Sequence, residues 1–228
     1  MSRCADFNSW VGSGAPSYTN HGSGANLDIT GSLSIDAWVR LRQPSVDGDY
    51  QIFYRSSAGN GYTFKADRNL VVAGKNTLCF SKSGGNSYPT LAFVVNGALT
   101  HIAVVWNSVA GDVLFYVNGV LVQTVHEVTA IVSPGVINSY IGHVTAGSGI
   151  NGCVYSLNVY NRVLSLAEIN YNMQHPADAI RRGRQLGVTQ ESWVGGVWKD
   201  LSPNAYDGTP TGVVLSPYNN IAGRNVSL

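Results

Sequence analysis

Bond-cleaving chemistry needs carboxylates, histidines or an activated nucleophile, and the sequence is sparing with all of them. It holds three glutamates, Glu127, Glu168 and Glu191. Glycoside hydrolysis with retention uses two carboxyl groups about 5–5.5 Å apart. A strand supplies such a pair when the two residues are two positions apart, because alternate side chains share a face. None of the three glutamates lies two residues from an aspartate. Glu168 already has a local role, since Ser165-Leu166-Ala167-Glu168 is a capping box in which hydroxyl and carboxylate satisfy each other's backbone donors. Asp47-Gly48-Asp49 sets two carboxylates on one side of a turn; it reads as a structural loop or as a weak cation site. The five histidines, His21, His101, His126, His143 and His175, stand in unrelated contexts. There is no Gly-x-Ser-x-Gly elbow and no glycine-rich loop leading into a helix. Cys4, Cys79 and Cys153 match no zinc spacing. No enzyme is expected, and no cofactor; calcium enters only through Asp47 and Asp49.

Binding chemistry has more material. A sugar stacks the apolar face of its ring on an aromatic side chain while amides and carboxylates bond its hydroxyls. Trp10, Tyr18, Tyr50, Tyr54 and Tyr88 lie in or near expected loops and are candidate platforms of this kind, with packing at the core or rim as the competing role for each. Charged residues make up 12% of the chain, against about 25% in typical soluble domains. The formal net charge is +1, and no concentrated basic face is evident of the sort that counterion-release binding to nucleic acid requires. The one basic cluster, Arg181, Arg182 and Arg184, falls at the expected end of a helix, where it complements the helix dipole. No stretch approaches the roughly 18 apolar residues of a membrane span. The start, Met1-Ser2-Arg3-Cys4-Ala5-Asp6, has no apolar core of a secretory signal.

The elements that must carry these residues are short strands separated by turns. Ser34–Leu41 alternates, with Ile35, Ala37, Val39 and Leu41 on one face and Trp38 on the other. His101–Trp106 gathers Ile102, Val104 and Trp106. Val113–Val117 meets Val120–Val125 across Asn118-Gly119, the strongest short hairpin signal because both turn residues must accept positive φ. Val95-Asn96-Gly97-Ala98 offers a second such turn, and Tyr62–Lys65 with Leu70–Ala73 around Asp67-Arg68-Asn69 a third hairpin. The capping box starts a short helix; Pro176 opens a second one, with Gly187 as its stop. Cys4 and Cys153 sit in strand-like segments that meet if the first and last strands pair; otherwise the three cysteines are small buried thiols. The tail from about Val188 holds Trp193 and Trp198, then Asp200, Asn204 and Asp207 around turns. Its aromatic content argues for one or two more strands and against disorder.

Taken in order, these segments resemble the concanavalin A-like lectin/glucanase superfamily, in its laminin-G-like and pentraxin-like branch. The resemblance rests on Cys4–Asn8 as the opening strand, Gly31–Val39 as the strand ending in "aWv", Leu99–Trp106, Leu114–Gly119 as the "lYvNG" hairpin, and Tyr140–Gly142 with Asn151–Ser165 as the closing strands. It covers roughly residues 4–173. It implies an all-β, two-sheet antiparallel jelly-roll sandwich over residues 1–175, with one or two short helices near residues 165–186. Glucanases of this fold carry a Glu-x-Asp pattern that the chain lacks. Tyr155 and Ser156 stand where relatives often place an acidic residue, which argues against a metal site. Trp198–Thr209 is similar to the segment that precedes the first strand in such domains, but lies at the other end of the chain. Residues 176–228 are therefore expected to supply an edge strand to their own sandwich or to a neighbouring one, with Trp193, Trp198, Asp200, Asn204 and Asp207 as the assembly tail.

Two functional readings follow. One is a non-catalytic surface-display module of a virion, such as a capsid decoration or fibre protein of a bacterial virus, whose partners are other subunits in a homo-oligomer or larger assembly. The other is a lectin-like module that binds cell-surface glycans. Both place the chain at a virion surface or outside the cell, without nucleic acid or membrane as partner.

Overall fold

A computed structural model describes residues 3–8, 16–42, 49–67, 75–83, 86–143 and 149–217. The described strands are β1 (Arg3–Asn8), β2 (Ser17–Asn20), β3 (Leu33–Leu41), β4 (Asp49–Ser57), β5 (Asn60–Asp67), β6 (Lys75–Lys82), β7 (Asn86–Val95), β8 (Thr100–Asn107) and β9 (Asp112–Val117). They continue as β10 (Val120–His126), β11 (Tyr140–His143), β12 (Asn151–Tyr160), β13 (Arg184–Thr189), β14 (Trp193–Val194), β15 (Val197–Trp198), β16 (Thr209–Thr211) and β17 (Val213–Pro217). One α-helix, α1 (Leu166–Gln174), lies between β12 and β13.

Two large antiparallel sheets face each other. The first runs β10-β9-β8-β3-β12-β1-β17, with β13 also paired to β12; the second runs β16-β2-β11-β4-β5-β6-β7. Alternation explains the core. Ile35, Ala37, Val39 and Leu41 from β3 and Ile102, Val104 and Trp106 from β8 are buried in one cluster with Phe53, Tyr62, Phe64 and Phe80 of the opposite sheet. Each such side chain contributes roughly 1.5–3 kcal/mol by leaving water.

The outer faces differ. On the first sheet, Ala103, Val105, Tyr116 and Tyr160 face away from the main core and are covered by Leu164 and by Ile169 of α1. The capping box that begins α1 is present in full: Ser165 Oγ accepts from Glu168 N, and a Glu168 carboxylate oxygen accepts from Ser165 N at 2.9 Å. Beneath the helix, Asp36 accepts from Asn158 Nδ2 at 3.1 Å and from Asn172 Nδ2 at 2.8 Å. No described helix packs on the outer face of the second sheet.

Several local expectations change. Asn118 and Gly119 take φ of 48° and 75° and close the β9–β10 hairpin. Gly97 also takes a positive φ, 77°, but its turn joins β7 to β8 in different sheets, so it is a crossing and not a hairpin. Gly97 N donates to Leu41 O at 2.7 Å; an Asn-Gly pair encodes a tight reversal and leaves the partner strand to tertiary packing. β5 pairs with β6, Lys75–Lys82; Leu70–Ala73, the second strand expected of the third hairpin, lies outside the described residues. Pro176 opens only a 3-10 turn, Pro176–Asp178. Gly187 ends no helix: it sits inside β13, where its N–H donates to Asp200 Oδ1 at 2.8 Å. The arginine cluster consequently has no helix end to complement. Arg184 is buried with Nη2 on Leu201 O at 2.8 Å, and Arg181 pairs with Asp178 at 3.3 Å.

β1 lies beside β12, and Cys4 and Cys153 form a disulfide with Cα atoms 5.7 Å apart. Cys79 is buried and takes no part in that disulfide. The C-terminal segment extends both sheets within the one chain, β16 pairing with β2 and β17 with β1.

Candidate functional site

The outer face of the second sheet, on which no described helix packs, carries a row of side chains in direct register. Thr209 faces Asn20, Asn20 faces Tyr140, Tyr140 faces Tyr54, Tyr54 faces Thr63 and Thr63 faces Ser81. With strands about 4.8 Å apart, the row from β16 to β6 spans roughly 24 Å. Its middle is aromatic. The Tyr140 ring meets Tyr54 at a centroid distance of 6.4 Å and Tyr18, its diagonal neighbour on β2, edge-on at 5.5 Å. His143 closes on Tyr54, also edge-on, at 4.3 Å.

Two backbone irregularities aim these rings. β4 is bulged between Gln51 and Phe53 where it pairs with β5. In a regular strand Tyr50, Ile52 and Tyr54 would share one face; the extra residue leaves Tyr50 and Ile52 buried in the core and turns Tyr54 outward. On β11, Gly142 takes a φ of 83°. Strict alternation would send His143 inward with Ile141, and the left-handed glycine breaks that sequence. A Cβ at Gly142 would stand 2.5 Å from Ser17 O, so the close approach of β2 also requires glycine there.

The polar groups stand around the rings. Asn138 Nδ2 donates to Tyr140 Oη at 3.2 Å, and Asn20 Oδ1 accepts from Gly22 N at 2.8 Å. Burial pushes the Tyr54 phenol up from its ordinary value of 10.0, and the neighbouring Tyr140 adds to the rise; the Tyr54 phenol is thus a hydroxyl donor and acceptor at neutral pH. Beside Thr63 and Ser81 a small depression of about 40 Å³ is lined also by Ser56 and Lys82. No residue of the row is an Asp or Glu. The arrangement offers apolar ring faces with neutral amides and hydroxyls on either side, which is chemistry for holding a polyol.

Of the five aromatic candidates, the structure brings Tyr18 and Tyr54 together around Tyr140. Tyr50 is buried at 3% exposure. Tyr88 lies in β7 opposite Phe80, and Trp10 lies outside the described residues. The cation candidates give no site to describe: Asp47 lies outside the described residues and Asp49 begins β4. Among the described residues no group of three or more His, Cys, Asp or Glu side chains is arranged to hold a metal ion, and no helix is long and apolar enough to cross a membrane.

The tail residues are engaged inside the chain. Trp198 is fully buried, its ring 6.4 Å from Phe7 and 5.9 Å from Trp193, with Nε1 donating to Thr189 O at 2.7 Å. The Asp200 carboxylate accepts from Gly187 N, Ser202 N, Ser202 Oγ and Tyr206 N. Asn204 Nδ2 donates to Gln185 O at 2.9 Å, and Asp207 accepts from Lys199 Nζ at 2.6 Å and Asp200 N at 3.0 Å. Sequence reasoning missed Tyr140 and His143. The signal for Tyr140 was present in Tyr140-Ile141-Gly142, since an inward Ile141 sends its neighbour outward; His143 depends on the Gly142 backbone and had none.

A family model described as the concanavalin A-like lectin/glucanases superfamily matches residues 13–170. Among solved structures, a Bacteroides ovatus protein provisionally assigned as carbohydrate-binding aligns over 95% of this chain at 16% identity with a TM-score of 0.70; this chain spans 60% of that one. The heptameric pentraxin of Limulus polyphemus aligns over 97% of both chains at 13% identity with a TM-score of 0.63. Domain 4 of an extracellular arabinanase from Geobacillus stearothermophilus, solved with arabinotriose, aligns over 74% of this chain and 86% of its own at 16% identity, TM-score 0.51. At these identities the likeness is one of fold. No curated protein matches the chain.

Proposed function

The chain belongs to the concanavalin A-like lectin/glucanase superfamily, and from that premise we propose that it is a non-catalytic carbohydrate-binding module whose binding face is the outer surface of the second sheet. The observation that carries this reading is the in-register row Asn20–Tyr140–Tyr54–Thr63–Ser81 on a face that no described helix covers. Its length suits an extended glycan of several rings laid across the strands, with Tyr18, Tyr54 and Tyr140 as stacking surfaces. A glycan partner is also in keeping with the provisional carbohydrate-binding assignment of one structure sharing the fold and the arabinotriose complex of another. These favour the lectin-like reading over the virion-surface one, for which no residue of the face speaks. The Cys4–Cys153 disulfide supports use in an oxidising, extracellular setting.

The test is a glycan array probed with the wild-type chain and with the double variant Tyr54→Ala/Tyr140→Ala, both checked for an unchanged melting temperature. Retention of neutral oligosaccharides by the wild type and its loss in the variant supports the proposal. Equal retention by both overturns the placement of the site.

A further inference from the structure

The first sheet carries a second cleft, on its outer face and so on the opposite side of the sandwich from the tyrosine row. Its volume is about 330 Å³, within the range of small-molecule sites. Trp38 of β3 and Tyr155 of β12 form its aromatic wall; Gln174 at the end of α1 and Gln190 and Glu191 after β13 supply its polar lining.

Tyr155 occupies a seam in the sheet. On one side of β12, β1 pairs up to Val154 and β13 takes over from Ser156. On the other side, the register with β3 passes from Val154–Val39 to Ser156–Trp38, so Tyr155 is the bulged residue. A bulge leaves its extra residue out of the ladder and re-aims its side chain, and such irregularities concentrate beside functional sites. Here it sets Tyr155 next to Trp38 over the Cys4–Cys153 bridge. Trp38 is fixed from two sides: Nε1 donates to Met173 O at 3.0 Å, and the ring stands edge-on to His101 at 5.5 Å. Both aromatics are therefore held in place before any ligand arrives, which lowers the ordering cost of binding.

The polar side is equally specific. Gln190 Nε2 donates to Glu191 Oε1 at 2.7 Å, while the buried Gln190 Oε1 has no hydrogen-bond partner among the described residues. The Gln174 amide adds both a donor and an acceptor. Among the described residues no Lys or Arg lines the cleft, and the Glu191 carboxylate repels anions.

We infer that this cleft is a second glycan subsite that takes one neutral sugar ring, stacked on Trp38 and Tyr155 with its hydroxyls on Gln174, Gln190 and Glu191. The inference rests on the carbohydrate-binding reading of the chain but not on the tyrosine row. Where the tyrosine row also binds, the module is bivalent, with one site on each outer face.

The test uses the Tyr54→Ala/Tyr140→Ala chain, in which the row is disabled, titrated with methyl glycosides of glucose, galactose and mannose and followed by saturation-transfer NMR. Binding of at least one glycoside, weakened about tenfold or more by the further change Gln190→Ala/Glu191→Ala, supports the second site. Glu191 is exposed and Gln190 half-buried, and Trp38→Phe gives a second probe that keeps an aromatic wall. No binding of any glycoside by the row-disabled chain overturns the inference, as does binding that the Gln190→Ala/Glu191→Ala change leaves intact. Tetramethylammonium bound in the cleft, with no glycoside bound, would overturn the inference and assign the cleft to an organic cation. Failure of the row shows separately, as array retention unchanged in Tyr54→Ala/Tyr140→Ala.

Discussion

Tyr140 is the residue on which the proposed binding face turns. It touches Tyr18 on one side and Tyr54 on the other, and it stands in register between Asn20 and Tyr54. Because it points away from the core, its removal separates binding from folding. Tyr140→Ala is expected to weaken oligosaccharide binding about tenfold, equivalent to about 1.4 kcal/mol, with little change in melting temperature. Tyr140→Phe keeps the stacking surface and loses only the bond from Asn138, so calorimetry should find most of the affinity retained. The sequence made Tyr18 and Tyr54 visible as aromatics near loops, but it could not separate Tyr54 from Tyr50. Four residues apart, they would share a face on any regular strand, and a bulge that only the pairing of β4 with β5 reveals puts one inside and the other outside. Tyr155 was legible only as a departure from a family pattern; its seam position depends on three neighbouring strands.

At the scale of elements, two local devices carry pH dependence with a defined sign. The bond from Arg162 is the main cause that holds the Glu168 carboxyl at about 2, below its ordinary 4.5, helped by the capping bonds to Ser165. A carboxyl lowered in the folded chain lends stability that is fully present above its unfolded value and is lost as pH falls through the folded one. The contribution should therefore fade between about pH 4.5 and 2, and the acid limb of a melting-temperature profile should be shallower in Glu168→Gln. Ser165→Ala should cost about 1 kcal/mol at neutral pH. The C-terminal segment has its own sensor. His21 is buried, accepting from or donating to Thr19 Oγ1 at 3.0 Å and donating from Nδ1 to Tyr206 O at 2.7 Å. Burial lowers its pKa below the usual 6.5, against the pull of Asp200 and Asp207. Stability is then present above pH 6.5 and declines below it, because the unfolded chain takes the proton more readily. Thermal melts at pH 7.5 and 5.5 should differ for the wild type, and the difference should shrink in His21→Gln. The capping box was readable because both partners lie within four residues. The His21 contact joins positions 185 apart in sequence, and nothing local announces it.

Among the described residues, one outer face of the sandwich carries a helix and the other carries none. That asymmetry, more than any single motif, locates the binding row. Order along the chain was enough to recognise the two-sheet fold, since strands, turns and the Asn118-Gly119 hairpin are local signals. Which sheet each strand joins was not, as the crossing at Gly97 demonstrates. The Cys4–Cys153 bridge closes a loop of 149 residues, and in the chain-entropy account such closure limits the unfolded state. Cys4→Ala/Cys153→Ala should lower stability by roughly 2–4 kcal/mol, read from the denaturation midpoint, while leaving the tyrosine row and its affinity in place. The measurement that bears most directly on the binding face is isothermal titration of one neutral oligosaccharide series, from disaccharide to hexasaccharide, into the wild-type chain and into Tyr54→Ala/Tyr140→Ala. A row spanning several strands requires affinity to rise with chain length in the wild type and the rise to vanish in the variant; affinity that is independent of length, or identical in the two proteins, would contradict it.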